Sequence, residues 1–175
     1  MAEAMDLPPE QLAPDVDFRP AWRLDDAALE ADATDFWNRT GILPKGTTPE
    51  ARLKELVAIA YRDGVSIGVL TAKVGRLDQV RARLAFMRGA VDPEHRRSHI
   101  GFVLFLFGRA LLERWSVEHP EERLAGLGAF VESRELAERA RKPFGKPTGL
   151  GVVGFMPDGR QIRVFWFQDF RLDLD

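Results

Sequence analysis

The residues best suited to chemistry stand together in Val91-Asp92-Pro93-Glu94-His95-Arg96-Arg97-Ser98-His99-Ile100-Gly101, between a strand candidate and the most apolar helix candidate. The first turn of a helix presents unpaired N–H groups, and the helix dipole adds roughly half a positive charge there. Arg96, Arg97 and His99 add side-chain charge to those donors. The combination is a receptor for phosphate. Its bland counterpart is a solvated turn carrying two ordinary arginines.

These residues need elements to hold them. Residues 17–24 alternate loosely as a first strand, Asp25 and Asp26 offer an N-cap, and Leu29, Ala33, Phe36 and Trp37 recur at helical spacing before Gly41. Thr48-Pro49 opens a second, short helix. Leu56–Arg62 is a strand that ends at Asp63-Gly64, a two-residue hairpin signal. Residues 65–74 return, and residues 79–91 form the next strand, with Val80, Ala82, Leu84 and Phe86 on one face and Arg81, Arg83 and Met87 on the other.

Residues 100–115 make the central helix, apolar nearly all round and therefore expected to be buried. After the polar connection 116–123 come a small-residue strand (125–131) and a helix (134–142), then breaks at Pro143, Gly145, Pro147 and Gly149. Residues 150–155 and 161–170 close the chain as a hairpin whose second strand carries Phe165, Trp166 and Phe167. The strand–helix–strand unit over residues 79–131 demands a parallel pair, while the meander before it and the final hairpin are antiparallel. The fold class is α/β, with layered α+β character. Its mixed, mostly antiparallel twisted sheet has about seven strands and about four flanking helices, in the order β-α-α-β-β-β-α-β-α-β-β.

That order, with a basic turn after the fourth strand, resembles the GNAT superfamily of acyl-CoA-dependent N-acyltransferases. The family pattern Val-x-Pro-x-x-Arg/Gln-x-x-Gly-x-Gly/Ala is met by Val91, Pro93, Arg96 and Gly101, with His99 where the first glycine is expected. The resemblance implies that Arg96, Arg97, Ser98, His99, Ile100 and Gly101 bind the pyrophosphate of coenzyme A. It also implies that Ala90 and Val91 pair with the pantetheine arm. The cosubstrate would then be acetyl-CoA or another acyl-CoA, with no metal, and the reaction a direct attack of an unidentified amine on the thioester, with a backbone N–H polarising the carbonyl.

Three departures accompany the resemblance. His99 carries a side chain where the family has bare glycine, either an obstacle or an added phosphate ligand. The tyrosine that protonates the leaving thiolate in many members has no counterpart, since Phe144 or Arg141 takes its place depending on alignment. Residues 79–90 hold no carboxylate, which leaves Glu132, beside Ser133 at the end of the fifth strand, as the candidate proton acceptor. The alternative for Glu132 is an acidic helix start, and for Ser133 an N-cap. The only tyrosine, Tyr61, reads as a packing residue. The alternative to an enzyme is a catalytically silent binding or scaffold module of the same fold.

Composition bounds the rest. With 175 residues and a formal net charge of −2, the chain lacks the basic excess of a general nucleic-acid binder. It has no cysteine, hence no disulfide or thiolate nucleophile, which suits a cytoplasmic location. Its three histidines lack the carboxylate spacing of a metal site. The longest apolar run, residues 100–108, is too short to span a membrane, and residues 1–16 read as an acidic flexible tail rather than an export signal. Residues 17–175 read as a single domain. Asp92, Glu94 and His95 are expected to be solvated, and the two-faced aromatic strand at the end offers either a homodimer face or a seat for the neighbouring helix.

Overall fold

A computed structural model describes residues 12–96, 99–131, 138, 141–145 and 148–170. Eight strands hydrogen-bond in the order β1-β2-β3-β4-β5-β8-β7-β6. They are β1 (Asp17–Pro20), β2 (Leu56–Arg62), β3 (Val65–Leu77), β4 (Ala82–Val91), β5 (Leu124–Phe130), β6 (Phe144–Gly145), β7 (Leu150–Phe155) and β8 (Gln161–Trp166). With them stand the α-helices α1 (Ala27–Thr40), α2 (Pro49–Leu53) and α3 (Ile100–Glu118). None of these helices is long and apolar enough to cross a membrane.

The chain divides into two compact units, one drawn from Met1–Ala72 and Arg88–Leu112, the other from Lys73–Met87 and Glu113–Asp175. In the first unit, local signals set the elements. Asp26 caps α1 by accepting from the Ala28 and Leu29 N–H groups at 2.9 and 3.2 Å. Thr48 caps α2 through the Ala51 N–H. Asp63 and Gly64 both take positive φ (50° and 76°), so the hairpin twist matches that of β2 and β3. Leu29, Ala33, Phe36 and Trp37 of α1 pack on Ile59, Tyr61 and Val69. Phe18 of β1 meets α3, stacking on Phe107 with centroids 5.7 Å apart. With helices on both sides, Leu56 to Tyr61 are all buried. Each large apolar side chain fully removed from water contributes roughly 1.5–3 kcal/mol. Within the expected tail, Ala13 and Val16 are buried.

The second unit has its own core of Leu77, Ala82, Leu84, Ala125, Ile162 and Val164, with Phe86 and Phe130 packed against it. Here β4 and β5 run parallel, as the intervening helix required, and β5, β8 and β7 are antiparallel neighbours.

Several boundaries differ from expectation. Pro20 already ends β1. Residues 79–81 are not strand, because Asp78–Val80 form a 3-10 turn closed by Arg81 in a left-handed conformation. Helix α3 runs on to Glu118, since Ser116 is satisfied inside the helix by donating to the Glu113 carbonyl at 2.7 Å. The Pro/Gly-rich break hides β6, a two-residue strand whose partner is β7. The last strand stops at Trp166, after which the Phe167 N–H donates to the Ala125 carbonyl at 3.0 Å. Of its aromatics, Phe167 is buried, whereas Trp166 remains 38% exposed and stacks on Phe170. Most of the helix expected over 134–142 lies outside the described residues.

Candidate functional site

The end of β4 is held from β3. The Thr71 hydroxyl donates to the Arg88 carbonyl at 3.3 Å, and the Asp92 N–H donates to the Ile67 carbonyl at 2.9 Å. Among the described residues, register pairs between β4 and β5 run from Arg83–Leu124 to Phe86–Gly128. Strand β4 continues for five more residues to Val91, with Arg88 and Gly89 exposed and Met87, Ala90 and Val91 half-buried. Backbone groups on such a stretch need a partner.

Val91 leads into a 3-10 turn, Pro93–His95, and then into α3. The turn begins on Asp92, whose side chain accepts from the Glu94 N–H at 3.0 Å while its carbonyl takes the His95 N–H at 2.8 Å. Asp92 was expected to be solvated; it is 6% exposed and ion-paired with Arg39 of α1. The Glu94 N–H, and after it the Arg39 guanidinium, hold this carboxyl below the usual carboxylate range. Glu94 is exposed, as expected. His95 is not a free surface residue, because its Nδ1 lies 3.2 Å from an Arg62 guanidinium nitrogen.

Around this frame stand the anion-binding candidates. Arg96 is exposed and folds back so that its Nε donates to the Val91 carbonyl at 3.4 Å. His99 is exposed, and its carbonyl already accepts the Val103 N–H at 3.0 Å as part of the helix start. Ile100 is buried and anchors the first turn of α3 in the core, with Val103 and Leu104 beside it in sequence. Gly101 is exposed, and a Cβ there would come within 3.3 Å of Val91 Cγ2, so bare glycine keeps the helix start close to the strand end. Val91, Arg96 and Gly101 are thus brought together, with His99 on the same turn. Arg97, Ser98, Glu132 and Ser133 lie outside the described residues.

The structure also answers for the phenol. Tyr61 is buried and donates its hydroxyl to Asp32 Oδ2 at 2.7 Å, with the Arg19 guanidinium over its ring at 4.5 Å. Burial, and next the Asp32 carboxylate, push its ionisation well above the ordinary range. The hydroxyl is thus committed to Asp32, in keeping with a packing role. Phe144 lies on β6 and is 56% exposed. Among the described residues no group of three or more His, Cys, Asp or Glu side chains could hold a metal ion.

Sequence reasoning missed the Arg39–Asp92 pair. The available signal was an aspartate before proline at a strand end, which is a turn cap, together with an arginine in the last turn of α1.

No protein-family model matches the chain, and no curated protein matches it in sequence. Solved structures do. An acetyltransferase of the GNAT family from Streptococcus pneumoniae superposes with TM-score 0.51 at 12% identity, covering 87% of this chain and 99% of that one. The putative acetyltransferase yncA from Salmonella typhimurium, solved with acetyl-CoA, gives 0.53 at 17% identity, covering 92% and 99%. The ribosomal-protein-S5-alanine acetyltransferase from Vibrio fischeri gives 0.56 at 11%, covering 90% and 96%. At such identities the likeness speaks for architecture alone, and in architecture the chain has the GNAT fold.

Proposed function

We propose that the chain binds an acyl-CoA, with acetyl-CoA the first candidate, and transfers the acyl group to an amine. The observation that carries this reading is the run of β4 past Phe86, where the register with β5 ends and the strand continues into the helix start at Gly101. Amides of a pantetheine arm supply the hydrogen bonds that an extended strand would supply there, against Ala90 and Val91. The diphosphate meets the N–H groups at the start of α3, with Arg96 beside them and with Arg97 and Ser98 added from the sequence. The exposed position of His99 supports this reading, because an imidazole packed over the turn would have excluded the ligand. A solved S. typhimurium acetyltransferase with the same fold carries acetyl-CoA, which adds support.

In the proposed reaction the amine nitrogen attacks the thioester carbonyl carbon. A C–N bond forms, the C–S bond breaks, and the sulfur departs as a thiolate that takes a proton from water. The amine gives up its proton to Glu132, directly or through water. A strand-end N–H stabilises the oxyanion. Tyr61 takes no part.

Titration calorimetry with acetyl-CoA, desulfo-CoA and adenosine 3′,5′-bisphosphate tests the binding step. Binding of all three is expected, with heat lost when Arg96 and Arg97 are both changed to alanine. No heat and no thermal stabilisation at millimolar CoA would overturn the reading. Release of free thiol in the presence of an amine panel tests the transfer step.

A further inference from the structure

One charge in the first unit opposes the anion site proposed above. Asp92 opens the turn on which Arg96 and the start of α3 are mounted, and only 6% of this residue reaches water. It stands next to Val91, whose carbonyl accepts from Arg96 Nε at 3.4 Å and whose Cγ2 lies 3.3 Å from the place of a Cβ on Gly101. A buried negative charge at that spot is poorly screened and repels an incoming anion. The turn's other carboxylate, Glu94, is exposed and left to water.

Asp92 does two separable things. As a hydrogen-bonding residue it shapes the turn: its Oδ1 takes the Glu94 N–H at 3.0 Å, its carbonyl takes the His95 N–H at 2.8 Å, and its own N–H donates to the Ile67 carbonyl at 2.9 Å. An asparagine could make all three bonds. As an anion it needs a cation, and the Arg39 guanidinium pairs with its Oδ2. Arg39 is fixed for that task. Its other terminal nitrogen donates to the Ser66 carbonyl at 2.7 Å, and its guanidinium carbon stands 5.9 Å from the centre of the Phe36 ring.

We infer that Arg39 is a positioning residue for the anion site at the head of α3: it cancels the Asp92 charge, so that the turn keeps its shape and still accepts a diphosphate. The inference rests on the acyl-CoA reading and adds to it a residue 53 positions before the turn. All of these groups belong to the first unit. A pair that only holds the turn and a pair that cancels charge differ in one respect. In the first case, breaking the pair from either side lowers affinity. In the second, the two sides change affinity in opposite directions.

Titration calorimetry of the full chain with coenzyme A, at low and high salt, separates the two. Arg39→Gln should weaken binding about tenfold at low salt and less at high salt, because a buried carboxylate is left uncancelled beside the anion. Asp92→Asn should bind about threefold tighter than the parent despite its lower stability, because the Arg39 charge then acts on the anion. The double variant should return to within about threefold of the parent. Arg39→Lys, which keeps the cation, should retain most of the parental affinity. Melting curves establish that each variant is folded at the titration temperature, and if Arg39→Gln does not fold, the sign of the Asp92→Asn change decides. Weaker binding by Asp92→Asn, parental binding by a folded Arg39→Gln, or a double variant no better than Arg39→Gln would overturn the inference and leave the acyl-CoA reading standing. A parent chain that binds no coenzyme A would overturn both.

Discussion

The Asp92 carboxylate takes one guanidinium nitrogen of Arg39, and Arg39 gives its other to the Ser66 carbonyl at 2.7 Å. A residue in the last turn of α1 thereby fixes both the start of β3 and the turn that follows β4. Asp92→Asn should cost about 1–2 kcal/mol, a charged hydrogen bond discounted because Arg39 is 41% exposed. Its depressed carboxyl contributes stability that is complete above the unfolded value, near pH 4, and is lost as pH falls through the lower folded value. Unfolding curves collected across acid pH should therefore show a shallower acid limb in Asp92→Asn than in the parent chain.

Gly101 tests the spacing between helix start and strand end. In Gly101→Ala the new Cβ presses on Val91 Cγ2 at 3.3 Å, so strand and helix must part by a few tenths of an ångström. The gain in helix propensity, up to about 1 kcal/mol, offsets that strain, so unfolding free energy should change by less than about 0.5 kcal/mol. Coenzyme A affinity should nevertheless fall several-fold, and Val91→Ala in the same chain should restore it. An unchanged affinity in the single variant would show that this spacing does not govern binding.

Tyr61→Phe separates packing from proton transfer. Loss of the hydroxyl leaves Asp32 without its 2.7 Å donor and should cost about 1 kcal/mol. Thiol release should proceed at the parental rate once the protein is folded. Because the folded phenol ionises above its unfolded value, its contribution is complete below about pH 10 and is lost as pH rises further. The alkaline fall in stability should be smaller in the Tyr61→Phe variant.

Arg163 is buried on β8 and ties three places together. Its Nε donates to Gln161 Oε1 at 3.0 Å, and its terminal nitrogens donate to the Leu150 and Lys142 carbonyls at 3.3 and 2.7 Å. Arg163→Met fills comparable space but takes the guanidinium donor from the buried Leu150 carbonyl and the Lys142 carbonyl, and should destabilise by about 1–2 kcal/mol. Hydrogen exchange should speed up first at β6 and β7, because the lost bonds hold that segment to β8.

Much of the frame was legible because it is set locally. The Asp26 cap and the Asp63-Gly64 hairpin each follow from neighbouring residues, and the parallel pair follows from the single helix that joins its two strands. The buried Asp92 was not legible, since its partner lies 53 residues earlier and a lone aspartate before proline looks like any surface turn. Strand β6 escaped for a related reason: two residues between prolines and glycines carry no period, and only pairing with β7 makes them extended. Where the β4 register with β5 ends is likewise a tertiary fact. Phe86 stacks on Phe130 at 5.0 Å and covers Gly128, and no periodicity announces that crossing.

If, as proposed, the edge of β4 takes an amide-bearing arm, it will accept other extended chains as readily, because a ladder does not ask what its partner is. Residues 87–91 would then be where this protein nucleates intermolecular β-pairing when starved of ligand. On that reading the same stretch would set the shelf life of the empty protein, and coenzyme A in the storage buffer should lengthen it.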